Sequence, residues 1–167
     1  MHKDTDFKNP PRRRIGALAI IRDREESVLL VKKAYKEGRS WGLPGGAAHA
    51  NEAPHDTWAR EIREETRLER VPGRLLVVDY VSYSEVSGAA EGINLVFDGG
   101  TASGTEIRLP EHDDGEPEIT GFTFVPLYKL SDFVTPLTEK RIRAAVAVLE
   151  DDFSSVYLAE GRPLTYG

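Results

Sequence analysis

The chain has 167 residues, 40% apolar and 30% charged, which suits one soluble globular domain with a sizeable core. With no cysteine it can form neither disulfides nor thiolate metal sites, and it has neither an apolar run of membrane-spanning length nor a signal-peptide-like N-terminus, so the cytoplasm is the expected compartment. A net charge of −6 argues against a polynucleotide partner, and would repel a free diphosphate unless a bound cation and local basic residues reverse the field.

Residues 1–14 are polar, with Pro10-Pro11 and then Arg12-Arg13-Arg14, and are expected to form a flexible N-terminal arm. Residues 15–167 are expected to form a single domain. Gly16–Ile21 and Val28–Val31 are aliphatic runs around the polar Arg22–Ser27 stretch, the pattern of a β-hairpin. Lys32, Lys33, Lys36 and Arg39 then cluster ahead of a glycine turn. This basic group is the best placed to receive a substrate phosphate, and Arg39 is taken forward from it. Trp41-Gly42-Leu43-Pro44-Gly45-Gly46 comes next. Glycine alone enters positive φ cheaply and lets backbone approach a ligand closely, so Gly45 and Gly46 are candidate substrate contacts. Trp41 is a candidate stacking surface for a base, as are Tyr80, Tyr83 and Phe97.

Pro54 suits the first turn of a helix, Asp56 adds charge near its positive end, and no glycine or proline interrupts until Thr66. At about 100° per residue, Trp58, Ala59, Ile62 and Thr66 share one stripe, which would pin the helix to a core. Glu61, Glu64 and Glu65 form the stripe beside it. At about 6 Å and an effective dielectric near 20, each like-charge pair costs roughly 2–3 kcal/mol, so converging carboxylates call for a cation. All-oxygen donors point to Mg2+, with Mn2+ second. Arg60, four residues before Glu64, is placed to neutralise and orient it. Three glutamates alone would more often be a solvated helix face. Glu52, the glycine pair and the Arg60-Glu61 step, all at fixed spacing, favour a site instead.

Further on, Leu75–Ser82 and Ile93–Asp98 read as strands around a polar Ser84–Gly92 loop. Thr105–Leu109 and Phe122–Val125 read as two more, separated by the acidic Glu111–Glu118 segment. Thr138–Glu150 reads as a helix started by Thr138 or Pro136, and Val156–Ala159 as a short closing strand. Strands alternating with two helices suggest an α/β fold, a mixed sheet between helical layers. His2, His49, His55 and His112 lack metal-ligand spacing, and no nucleophile-elbow or P-loop pattern occurs.

From Gly46 to Leu68 the chain reads G-x5-E-x7-R-E-U-x-E-E-x-R-U, where U is a bulky aliphatic. This stretch resembles the signature box of the Nudix hydrolases (MutT-like enzymes), departing from it at Arg67, where the family has glycine. The resemblance implies an α/β/α sandwich with a mixed β-sheet. It also implies magnesium-dependent hydrolysis of a nucleoside diphosphate linked to another moiety, by metal-activated water attacking phosphorus. The implied ligands are Glu61, Glu64, Glu65 and the Gly46 carbonyl, with Glu52 and Arg60 in orienting roles. Many members draw another glutamate from a downstream loop, and Glu118 is a better candidate for it than Glu116, being nearer the following strand. The implied partner is a small nucleotide-type molecule, and the chain a monomer or homodimer. Tyr83 stands where ADP-ribose-cleaving members carry proline, and falls just short of a tyrosine typical of dinucleoside-polyphosphate members, so neither pattern matches. Members that act as inactive ligand sensors lose box glutamates, and all are kept here. Arg67 is expected to end the helix in a left-handed cap at a cost of about 1 kcal/mol.

Overall fold

The computed structural model describes residues 8–34, 41–111, 117–151 and 154–164. The aliphatic and β-branched runs form β1 (Arg14–Arg22), β2 (Val28–Lys33), β5 (Leu75–Val81), β6 (Gly92–Thr101), β7 (Ile119–Val125) and β8 (Val156–Ala159). Three short strands add to them: β3 (Trp41–Gly42), β4 (Gly45–Ala47) and β9 (Arg162–Pro163). The helices are α1 (Pro54–Thr66), α2 (Leu130–Phe133) and α3 (Pro136–Glu150), with Pro136 in the first turn of α3 and Thr135 as its cap.

All nine strands belong to one mixed sheet. β1 runs parallel to β6 and antiparallel to β4; β5 runs antiparallel to β6 and parallel to β8, which β9 extends. β2 lies antiparallel between β3 and β7. The hairpin expected around Arg22–Ser27 exists at its turn alone. Asp23 Oδ1 closes that turn by accepting from the backbone N–H of Glu25 and of Ser27, each at 2.9 Å. β1 and β2 then share one register pair, Arg22 with Val28, before diverging to other partners. Both strands are buried on both faces over most of their length, so each needs neighbours and cover of its own.

One apolar cluster joins Ile20, Leu30, Leu76, Val77 and Val96 to Leu130, Ile142 and Val146 of α2 and α3; the other joins Ala17, Ala19, Ile21 and Leu29 to Trp58 and Ile62 of α1. The order is helix, sheet, helix, as the resemblance implied. On the α3 side Asp79 of β5 is fully buried; its Oδ2 accepts from Arg141 Nε at 2.7 Å and its Oδ1 from the Gly161 N–H at 3.0 Å.

Thr105–Leu109 is not a strand. Ser103–Glu106 forms a turn whose Glu106 carboxylate accepts from Ser103 N at 2.7 Å, and the Arg108 N–H is spent on the Thr66 carbonyl at 3.0 Å. Ile107 is buried against α1. The segment caps a helix end, leaving no ladder bonds for a neighbouring strand. Within the Arg12–Arg14 run, Arg13 pairs with Glu91 at 2.8 Å and Arg14 donates to Asn94 at 3.2 Å, which fastens this end of the expected arm to the sheet. Half of the expected arm, residues 1–7, lies outside the described residues. Among the described residues no helix is long and apolar enough to cross a membrane.

Arg67 ends α1 at φ 61°, ψ 15°, and its N–H returns to the Arg63 carbonyl at 3.0 Å. This is the left-handed cap expected at the position where the box pattern has glycine. Arg67 is exposed, so the strain has no buried contact to offset it. Arg67→Gly is expected to leave stability unchanged or raise it by up to about 1 kcal/mol, read from thermal melts. A clear loss would reveal a contact made by the arginine side chain.

Candidate active site

Helix α1 is anchored by Trp58 and Ile62, both fully buried, and its neighbouring stripe holds the glutamates. Burial divides that stripe. Glu61 and Glu65 are buried, whereas the Glu64 side chain is 53% exposed.

Arg60 gathers most of the charge around it. Its Nε donates to Glu52 at 2.7 Å, one terminal nitrogen donates to Glu52 at 2.9 Å, and the other donates to Glu61 at 2.7 Å and Glu64 at 3.1 Å. Glu52 also accepts from the His49 N–H and the Thr57 hydroxyl, each at 2.9 Å. The Arg60 hydrogen bonds, helped by His49, hold the Glu52 carboxyl well below the usual carboxylate range, and the same partner raises the Arg60 pKa.

Glu65 turns the other way. Its Oε2 accepts from the Gly45 N–H at 2.7 Å, and its Oε1 lies 3.1 Å from Lys33 Nζ. Lys33 aims its hydrogen bond at the Gly45 carbonyl, at 2.8 Å, and Glu65 Oε1 accepts no hydrogen bond from any described residue. Burial pushes the Glu65 carboxyl up to about 7; Lys33 and the Gly45 N–H pull against that, and Glu61 adds to it.

The three box carboxylates therefore do not converge as the helix pattern suggested. Among the described residues no group of three acidic or histidine side chains stands ready to hold a cation. Each carboxylate has taken the nearest protein donor, Arg60 on one side and Lys33 on the other. The donor set nevertheless fits a hard cation. Every atom is oxygen, Glu65 Oε1 is buried without a hydrogen bond, and Gly46 leaves room for the Glu61 carboxylate, which a Cβ there would meet at 2.6 Å.

The glycine pair divides its work. Gly45 has φ 125°, and a Cβ on it would fall 2.1 Å from the Ala17 carbonyl. β4 pairs with β1 through Ala19 N to Pro44 O and Ala48 N to Ile15 O, which makes Ala17 and Gly46 the hydrogen-bonded pair between them. The Gly46 carbonyl thus faces β1, and the carbonyl beside Glu65 is that of Gly45. This corrects the expectation that Gly46 supplies the backbone ligand.

The other candidates are scattered. Trp41 packs on the α3 face of the sheet, edge-on to Phe133 at 5.8 Å, so its ring belongs to the core opposite α1. Tyr83 is exposed in the loop after β5. Glu118 is exposed at the start of β7, its carbonyl accepting from Ala34 N at 2.8 Å; its carboxylate bonds to no described residue. Arg39, Lys36 and Glu116 lie outside the described residues.

Two features escaped the sequence reading. Lys33 stands in the basic group expected to receive a phosphate, yet alternation along β2 turns it inward while Lys32 is exposed. The second is an apolar floor. α1 packs on β1 and β4, and the same sheet face continues beyond them. There Ile15 lies opposite Ile93, Ile93 opposite Tyr80, and Val78 opposite Tyr157, with Ile15, Ile93 and Tyr157 exposed. The Tyr80 hydroxyl donates to Glu91 at 2.7 Å at its rim. The floor adjoins the box loop through the Ala48 N to Ile15 O bond. A broad surface depression of about 740 Å3, lined by Glu69, Arg70, Val71 and Gly99 among others, includes no box residue.

Known proteins share this fold. The computed fold is similar to a MutT protein from Methanosarcina mazei Go1, with TM-score 0.64 and 24% identity over 85% of this chain and 96% of that one. It is also similar to a UDP-X diphosphatase, with TM-score 0.67 and 19% identity over 94% of this chain and 70% of that one. A Myxococcus xanthus protein named octanoyltransferase is 36% identical over 111 residues, 62% of this chain. The match spans 30% of that relative's length, so its name describes a much longer protein. The Nudix domain pattern itself matches residues 11–147, which carry the box, both glycines and Lys33, and the chain accordingly belongs to the Nudix hydrolase family.

Proposed function

We propose that this domain cleaves the diphosphate linkage of a nucleoside diphosphate joined to another moiety, with Mg2+, or Mn2+ in its place, held by Glu61, Glu64, Glu65 and the Gly45 carbonyl. The observation that carries the reading is Glu65 Oε1, a buried carboxylate oxygen without a hydrogen bond, close to a second buried carboxylate seated on Gly46. When bound, such an ion supplies charge neutralisation at the diphosphate and a water acidic enough to attack phosphorus. The chain's own groups do the positioning. Glu52 fixes Arg60, and Arg60 fixes Glu61 and Glu64, so these two carboxylates are aimed before substrate arrives. The Gly45-Gly46 backbone lets β1 and the Glu61 carboxylate approach closely, which seats the box loop against α1. The floor of Ile15, Ile93, Tyr80 and Tyr157 offers apolar and aromatic surface beside that place, which suits a nucleoside. Glu118 remains a candidate assisting group, because it bonds the residue after Lys33. Trp41, on the opposite face, drops out as a stacking surface.

A panel of nucleoside diphosphate derivatives incubated with Mg2+, with products read by mass, tests the proposal. Cleavage between the two phosphorus atoms is expected for at least one member, abolished by EDTA and restored by excess Mg2+. Turnover indifferent to EDTA would overturn the metal assignment. Binding without turnover across the panel would favour a ligand sensor.

A further inference from the structure

We infer that Lys33 is the protein's built-in counterion at the cation seat, competing with the divalent ion for the Gly45 carbonyl and Glu65 Oε1 and so setting its affinity. The inference rests on the reading of Glu61, Glu64 and Glu65 as cation ligands. Lys33 ends β2 with its side chain about nine-tenths buried, a costly place for an ammonium without a specific partner. Two oxygens that it engages among the described residues, at 2.8 and 3.1 Å, are a backbone carbonyl and a carboxylate, the hard donors that a divalent cation takes. Two cations cannot share that pair at contact distance without strong mutual repulsion. The long lysine stem lets the ammonium swing aside while its attachment point stays fixed in the sheet. With no divalent ion bound, Lys33 neutralises Glu65 and ties the box loop to α1. Once the ion is bound, that work passes to it. A lysine with a purely structural role would hold Glu65 without affecting the ion's affinity, and this difference is measurable.

The test measures Mn2+ binding to the full chain by electron paramagnetic resonance of the free ion, at fixed pH and ionic strength. Wild type is compared with K33M, K33R and E61Q. K33M is expected to bind Mn2+ about tenfold more tightly or better, and K33R no more tightly than wild type. Without metal K33M should melt below wild type, and saturating Mn2+ should raise its Tm by more than it raises the wild-type Tm. Folded K33M with unchanged or weaker Mn2+ affinity, while E61Q still loses binding, overturns the inference and leaves the site assignment standing. Mn2+ binding unaffected by E61Q overturns the site assignment itself. Should K33M fail to fold, K33Q takes its place. If neither folds, K33R decides: tighter binding than wild type overturns the inference, and equal or weaker binding supports it.

Discussion

Glu65→Gln is expected to lower turnover at least about a hundredfold, some 2.7 kcal/mol of transition-state stabilisation, without unfolding the protein. The amide matches the carboxylate in shape, and its carbonyl can still accept the Gly45 N–H that Oε2 accepts now. Burial pushes the Glu65 carboxyl up to about 7, a shift that favours a neutral group at this place. The amide cannot supply the charge that a divalent ion needs, and its NH2 would face Lys33. Purified Glu65→Gln with near-normal kcat at saturating Mg2+ would remove Glu65 from the site. Loss of the folded circular dichroism signal would show instead that the Lys33 pair is indispensable to the fold.

The largest loss of stability is expected from Asp79→Ala. Removing one partner of a buried ion pair costs about 3–5 kcal/mol, because the other charge is left in the interior without compensation. Here the stranded group is Arg141, held on α3 with 7% exposure, and the Gly161 N–H loses its acceptor as well. For a domain whose total stability is on the order of 5–15 kcal/mol, the variant would lose a large share of it. Asp79→Asn should lose less, since its carbonyl can still serve Gly161. Urea melts reading both variants within about 1 kcal/mol of wild type would show that α3 is held by its apolar face alone.

How far the fold could be read from the chain depended on the signal each part carries. Gly16–Ile21 and Val28–Val31 are unbroken aliphatic runs and announce buried strands, while the spacing of Trp58 and Ile62 announces an anchored helix. β3 and β4 are two and three residues long and rich in glycine, too short for any period to show. Thr105–Leu109 has strand-like composition, but its fate is decided by the open carbonyl of Thr66, a partner distant in sequence. In the site, the glutamate spacing gave the residues but not their arrangement. A helix wheel holds no information about Arg60 drawing Glu61 and Glu64 together, nor about a lysine from another strand drawing Glu65 away. The inward turn of Lys33 was the most recoverable detail, because strand alternation after four aliphatic residues sends one of two adjacent lysines inward.

The bond from Lys33 to the Gly45 carbonyl joins residues twelve apart in sequence, and Glu65 holds both ends. The intervening stretch is therefore fastened at its base. Lengthening such a loop costs little free energy, growing only with the logarithm of its length. Trp41 and Leu43, in the same stretch, pack into the α3-side core and give it a second fixed point. With no cation bound, the chain thus ties the base of this loop to the same carboxylate that anchors the end of α1.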